Sequence, residues 1–167
     1  MSVGSLIDLS AEKVAQNILV ERFRPSTIDF SVPSGNRVFE HAIKMWPVLY
    51  GAPQSTIENV LEELAELKFT EANFYEACIE SRFFPILLKQ SLIALTIGSE
   101  VRTEDEDLEA GYGNEDDEID IVQVLESLSS ADTRQNLMHL DVSTAPDRLF
   151  DENWMERVGR LFRTWKA

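Results

Sequence analysis

The chain predicts an α/β protein, with an N-terminal helical segment over residues 1–50 and a short stacked array of about three strand–helix units over 51–167. Three observations carry this expectation. Apolar residues in the first fifty positions recur at helical spacing. The remainder repeats one short alternating apolar run three times, each beside a helical pattern. With 44% hydrophobic residues among 167, there is enough apolar material for one core.

The helical segment opens with SLIDLSAEKV, residues 5–14. Leu6, Leu9, Ser10, Val14, Ala15 and Ile18 fall within one stripe, while Asp8, Glu12, Lys13, Gln16 and Glu21 face away. Pro25 stops this helix soon after Phe23. STIDFSVPSGN follows and reads as an irregular linker, because it is rich in turn formers. A second helix is expected over Arg37–Trp46, with Val38, Phe39, Ala42, Ile43 and Trp46 as its apolar side. Pro47, Gly51 and Pro53 end that region.

The repeating run is an apolar residue, two others, a leucine, one residue, then another apolar residue. It occurs as Leu64-x-x-Leu67-x-Phe69, Leu92-x-x-Leu95-x-Ile97 and Leu137-x-x-Leu140-x-Val142. The first two copies lie 28 residues apart, within the period of leucine-rich repeats, and the second and third lie 45 apart. Such spacing predicts an irregular leucine-rich-repeat solenoid, in which each leucine points inward from a short parallel strand and a helix returns the chain. Three unrelated strands in a mixed α/β domain is the alternative. Asn73 stands where a repeat asparagine bonds neighbouring turns; Val101 and Pro146 occupy the equivalent offsets, so the repeats are irregular.

The extra length between the second and third copies holds the acidic stretch Glu100 to Asp120, with eleven acids and one base. It accounts for −10 of the net charge of −15, and a surface loop at about 100–118 is expected there. The overall charge argues against nucleic acid, since no basic field is available to replace counterions. Its carboxylates do not fall at the alternating positions of a calcium-binding loop, so no metal is expected. No apolar run is long enough for a bilayer, and no secretory leader opens the chain. A single cysteine, Cys78, suits a reducing compartment, the cytoplasm or nucleus, and reads as a small apolar helix residue.

Chemistry finds no foothold in the motifs. GxSxG, HExxH, CxxC, P-loop and GxGxxG patterns are all missing. His41 and His139 lie in different elements without ligand-spaced partners, and His139 is expected to point outward from its strand. Neither an enzyme nor a cofactor is expected.

Ser5-Leu6-x-x-x-Ser10-x-x-x-Val14 resembles the BC-box, the Elongin C-binding motif of ubiquitin-ligase substrate receptors. In that family the leucine enters a pocket on Elongin C, a small residue allows close approach, and an aliphatic residue extends the contact. The small position is most often cysteine and is Ser10 here. Downstream, Phe30-Ser-Val32-Pro33 before Val38, Phe39 and Ile43 is similar to the cullin-2 box, although its usual aliphatic residue three places after the proline is Asn36. The tail, from Glu126-Ser-Leu-Ser-Ser through Leu137-Met-His-Leu140-Asp-Val142 to Leu149-Phe150 and Trp154-x-x-x-Val158-Gly159, resembles Zyg/Zer-type leucine-rich receptors of cullin-2 RING ligases.

The resemblance covers most of the chain in patches. Family members are much longer and carry further repeats and an armadillo-like domain, which implies a fragment, a short isoform or a divergent paralogue. It implies a non-catalytic adaptor that contacts Elongin C, with its partner Elongin B, through Ser5, Leu6, Ser10 and Val14, and cullin-2 through Val32, Pro33 and Val38. The repeats would hold a protein substrate. A repeat scaffold or inhibitor unconnected to ubiquitin ligases is the competing expectation. Trp154, Val158, Leu161, Phe162 and Trp165 form a final apolar helix side that needs cover.

Overall fold

Three short strands, β1 (Glu71–Phe74), β2 (Ala94–Gly98) and β3 (His139–Ser143), form a parallel sheet in the order β1-β2-β3. In this computed structural model the description covers the chain except residues 1–2, 28, 76, 78, 99–100, 102–120, 128–130, 144–152 and 166–167. The acidic stretch therefore lies outside the described residues apart from Val101, and Cys78 lies outside them as well.

Seven α-helices accompany the strands among the described residues. They are α1 (Val3–Leu19), α2 (Val32–Lys44), α3 (Gln54–Ala65), α4 (Phe84–Leu87), α5 (Ile121–Ser127), α6 (Ala131–Asn136) and α7 (Trp154–Trp165). Each strand is followed by helix, as a parallel sheet requires, because a parallel neighbour can be reached only by a crossover. The protein is thus a mixed helix-and-strand chain with a parallel sheet, as the α/β expectation has it. α3 packs on α4, α4 on α5, and α5 on α7, so the helical layer steps along in the same direction as the sheet.

Register places Leu95 beside Leu140 and Ile97 beside Val142, the pairing that the 45-residue spacing predicts. The first repeat is different. Ala72 pairs with Leu95 and Phe74 with Ile97, a step of 23 residues rather than 28. Leu64 belongs to α3 and packs there with Val60 and Leu61, while Leu67 and Phe69 lie in the turn beyond. The strand that pairs with β2 runs through Ala72 and Phe74, five residues downstream of the predicted one. Asn73 sits within β1 on the exposed side, where its Oδ1 accepts from the Tyr75 amide at 2.9 Å, and among the described residues no side-chain bond joins it to a neighbouring turn.

The strand entrances repeat more closely than the side chains do. Thr70 O accepts from Ile93 N and Ala94 N at 2.7 and 3.2 Å. One strand on, Ile93 O accepts from Met138 N and His139 N at 2.9 and 3.1 Å. At the first strand a side chain takes over: Asn36 Oδ1 accepts from Thr70 N at 2.9 Å, so α2 supplies the acceptor there.

α2 begins at Val32, five residues before the predicted start, and takes in the second part of the expected linker. Pro33 suits the first turn, where its missing N–H costs nothing. Gly35 is there because a Cβ would stand 1.9 Å from the Lys68 carbonyl oxygen. Asp29 pairs with Lys68 across the same junction. Behind it the core is aromatic: Phe39 stacks on Phe69 at 4.1 Å and meets Phe74 edge-on at 6.1 Å, and Phe74 stacks on Phe84 at 4.6 Å. One apolar cluster runs without a break from Ala11 of α1 through the sheet to Val158 of α7. Residues 1–50 therefore share their core with the sheet rather than enclosing one of their own.

Candidate protein-docking site

α1 is anchored along one stripe. Ala11, Ala15, Ile18 and Leu19 are buried, chiefly against α2, and Val14 is half-buried at the margin. The predicted stripe was rotated relative to this one. Leu6 and Leu9 remain 54% and 55% exposed, Ser10 is exposed, and Ala11 takes the inward place. At about 100° per residue, Leu6, Ser10 and Val14 form a continuous row beside the buried stripe, with Leu9 on the far side. Ile7 is in line with Ala11 and Ala15 yet is 52% exposed, so the buried stripe loses its cover about one turn in from the helix start. Ser5 stands in the first turns of α1, and its side chain lies outside the described set.

The result is an apolar helix end, Leu6, Ile7 and Leu9, carried on a well-packed shaft. Asp8 accepts from Arg37 at 2.7 Å and ties that end to α2. Both groups are about half exposed, so the pair contributes at most about 1 kcal/mol.

The three residues expected to face a cullin part company. Val32 and Pro33 are exposed in the first turn of α2. Val38 is 2% exposed and lies in the core, so no partner reaches it while the helix is folded. Its place on the α2 surface is taken by Arg37 and Glu40, which line a polar groove with Pro33, Asn36, Glu71 and Asn73.

A second groove, of about 440 Å³, lies at the other end of the sheet between Leu137, Met138 and Leu140 and the Phe162–Arg163 turn of α7. α7 is partly covered: Val158 is buried, and Trp154, Leu161 and Phe162 pack against the core from its edge. His139 is exposed, in keeping with its predicted outward direction, and His41 is half-buried in α2. Among the described residues no group of three or more His, Cys, Asp or Glu converges as a metal site would, and no helix is long and apolar enough to cross a membrane. The Arg160 guanidinium is held above its usual value by the hydrogen bond it donates to Glu156 one turn back in α7, on the open surface.

Thr133 escaped the sequence reading. Fully buried in α6, its hydroxyl donates to Gln90 O at 2.6 Å and accepts from Leu92 N at 3.0 Å, closing the turn into β2. A lone threonine in a polar helix carries no signal of this. Comparison with protein-family models, curated proteins and solved structures finds no match.

Proposed function

We propose that the chain is a non-catalytic adaptor of a cullin-2 RING ubiquitin ligase, docking on Elongin C, in company with Elongin B, through the start of α1. It acts in the cytoplasm or nucleus and presents a leucine-rich-repeat platform to a protein substrate. The single observation that carries this is the exposed Leu6, Ile7 and Leu9 on a helix whose next two turns are anchored by Ala11, Ala15 and Ile18. A groove-binding helix needs that division: apolar anchors on one stretch and a rigid base for them on the next. The parallel strands at steps of 23 and 45 residues, with the recurring bonds at Thr70 and Ile93, support the solenoid part of the reading.

The test is calorimetric titration of Elongin B/C with the wild type and with Leu6→Asp, beside thermal melts of both. A charge on Leu6 would be desolvated in an apolar pocket. Affinity is expected to fall at least about a hundredfold, roughly 2.7 kcal/mol, with the melting temperature unchanged. Wild-type protein without affinity for Elongin B/C sinks the reading.

The burial of Val38 favours a second reading in one respect. With that residue in the core and Asn36 committed to Thr70, the cullin-like segment does structural work, as it would in a repeat scaffold unconnected to a ligase. Elongin B/C binding without recruitment of cullin-2 is the result that reading predicts for the segment.

A further inference from the structure

We propose that the open edge of β3 pairs with β3 of a second copy of this chain, antiparallel and centred on Leu140, to make a two-fold symmetric dimer. The inference does not rest on the docking reading, which concerns the opposite end of the sheet. β3 is the last strand of the sheet, and among the described residues nothing hydrogen-bonds its outer side. An uncovered strand edge is a template for pairing.

The register follows from backbone direction and charge. His139 N donates inward to Ile93 O, so strand alternation turns the backbone groups of Leu140 and Val142 to the open side. Three two-fold registers keep both helical layers on one face of the extended sheet and pair at least five consecutive described residues outside the helices. Centring on His139 would call on Leu137, which is 2% exposed and committed to the core. Centring on Asp141 sets two carboxylates directly opposite each other, which destabilises an antiparallel pair.

Centring on Leu140 removes both objections. Leu140 faces Leu140 of the second copy as a hydrogen-bonded pair. His139 faces the second copy's Asp141, an imidazole N–H beside a carboxylate, which is favourable in either protonation state of the ring. Met138, 75% exposed, faces the second copy's Val142 on the groove side, where Leu140 and Phe162 already form an apolar wall. Symmetry makes the His139–Asp141 and Met138–Val142 contacts twice, as an isologous interface does. Half-exposed Leu140 and Val142 would gain the cover that Leu95 and Ile97 already have in the middle of the sheet.

The interface is small, so a dissociation constant on the order of 10–100 µM is expected. Sedimentation of the full chain across that concentration range tests it, at moderate salt to screen repulsion between chains of net charge −15. His139→Asp should raise the dissociation constant about tenfold, and His139→Asp/Asp141→His should restore it to within about threefold. Register is read separately in a Cys78→Ser background. Leu140→Cys should form a covalent dimer on mild oxidation, since opposed Cα atoms at about 5.5 Å suit a disulfide, whereas Asp141→Cys should not. A chain that stays monomeric well above 100 µM overturns the proposal, as does a dimer indifferent to His139→Asp. Faster crosslinking through Asp141→Cys than through Leu140→Cys overturns it too, and that readout needs no change at His139.

Discussion

The two edges of the sheet meet opposite fates. At the β1 edge, α2 comes so close that only Gly35 fits against the Lys68 carbonyl, and Asn36 supplies the acceptor that an earlier strand would have offered to Thr70. At the β3 edge the same kind of strand ends in exposed Met138 and a half-buried Leu140. An open sheet leaves an unpaired strand at each edge unless another element covers it. Here the β1 edge is closed by a helix whose sequence is shaped to the purpose, whereas among the described residues nothing pairs with the outer backbone of β3.

Breaking the closed edge should cost most. Phe39→Ala removes the ring that stacks on Phe69 and abuts Phe74, and a loss of about 3–5 kcal/mol is expected from chemical denaturation. Gly35→Val should come close behind, because the obstruction is backbone and cannot rotate aside; a loss under about 1 kcal/mol would mean that α2 can slide.

The comparison sharpens at equivalent positions. Leu95 and Leu140 are partners in register, yet Leu95 is 1% exposed and Leu140 is half-buried. Leu95→Ala is expected to cost about 2–5 kcal/mol and Leu140→Ala about half as much, measured by denaturant melts at dilute, monomeric concentration. Equal losses would show that β3 has cover equivalent to that of β2.

How far the sequence discloses this asymmetry depends on where each signal sits. The β2–β3 pairing was legible, because both runs follow a break in the helical pattern and keep leucine at the central position. The first run misled by five residues. Leu64, Leu67 and Phe69 satisfy the same spacing, and a short apolar run looks alike in a buried helix end and in a strand. The strand itself has Ala72 where the pattern wants leucine, so it escapes the spacing. Gly35 and Asn36 read as turn formers for a related reason. Propensity is local, whereas the carbonyl and amide they serve, on Lys68 and Thr70, are distant in the chain. The exposed row on α1 was named from a resemblance, while the stripe that anchors the helix was misphased by its flanking leucines.

A smaller effect probes the borrowed acceptor. Asn36→Ala leaves the Thr70 amide half-buried without its partner, and a loss of about 1–2 kcal/mol is expected. Asn36→Asp keeps an acceptor oxygen and should recover most of that. If both variants lose equally, the carboxamide is valued for packing, and α2 does not stand in for a strand.

The smallest expected effect separates the exposed end of α1 from the shaft beneath it. Asp8 and Arg37 form the one described ion pair joining α1 to α2, at 2.7 Å, with side chains 42% and 53% exposed. Water screens such a pair, and two long side chains must be ordered to make it, so a double-mutant cycle with Asp8→Asn and Arg37→Gln should give a coupling of about 0.2–1 kcal/mol. Added salt should shrink it further. The buried stripe would then account for nearly all the attachment of α1, leaving Leu6, Ile7 and Leu9 on a turn free to adjust to a partner. A coupling clearly above 1 kcal/mol that survives high salt would place the first turns of α1 under firm restraint from α2. In that case the exposed row is a rigid edge, and its fit to any groove must already be present in the free chain.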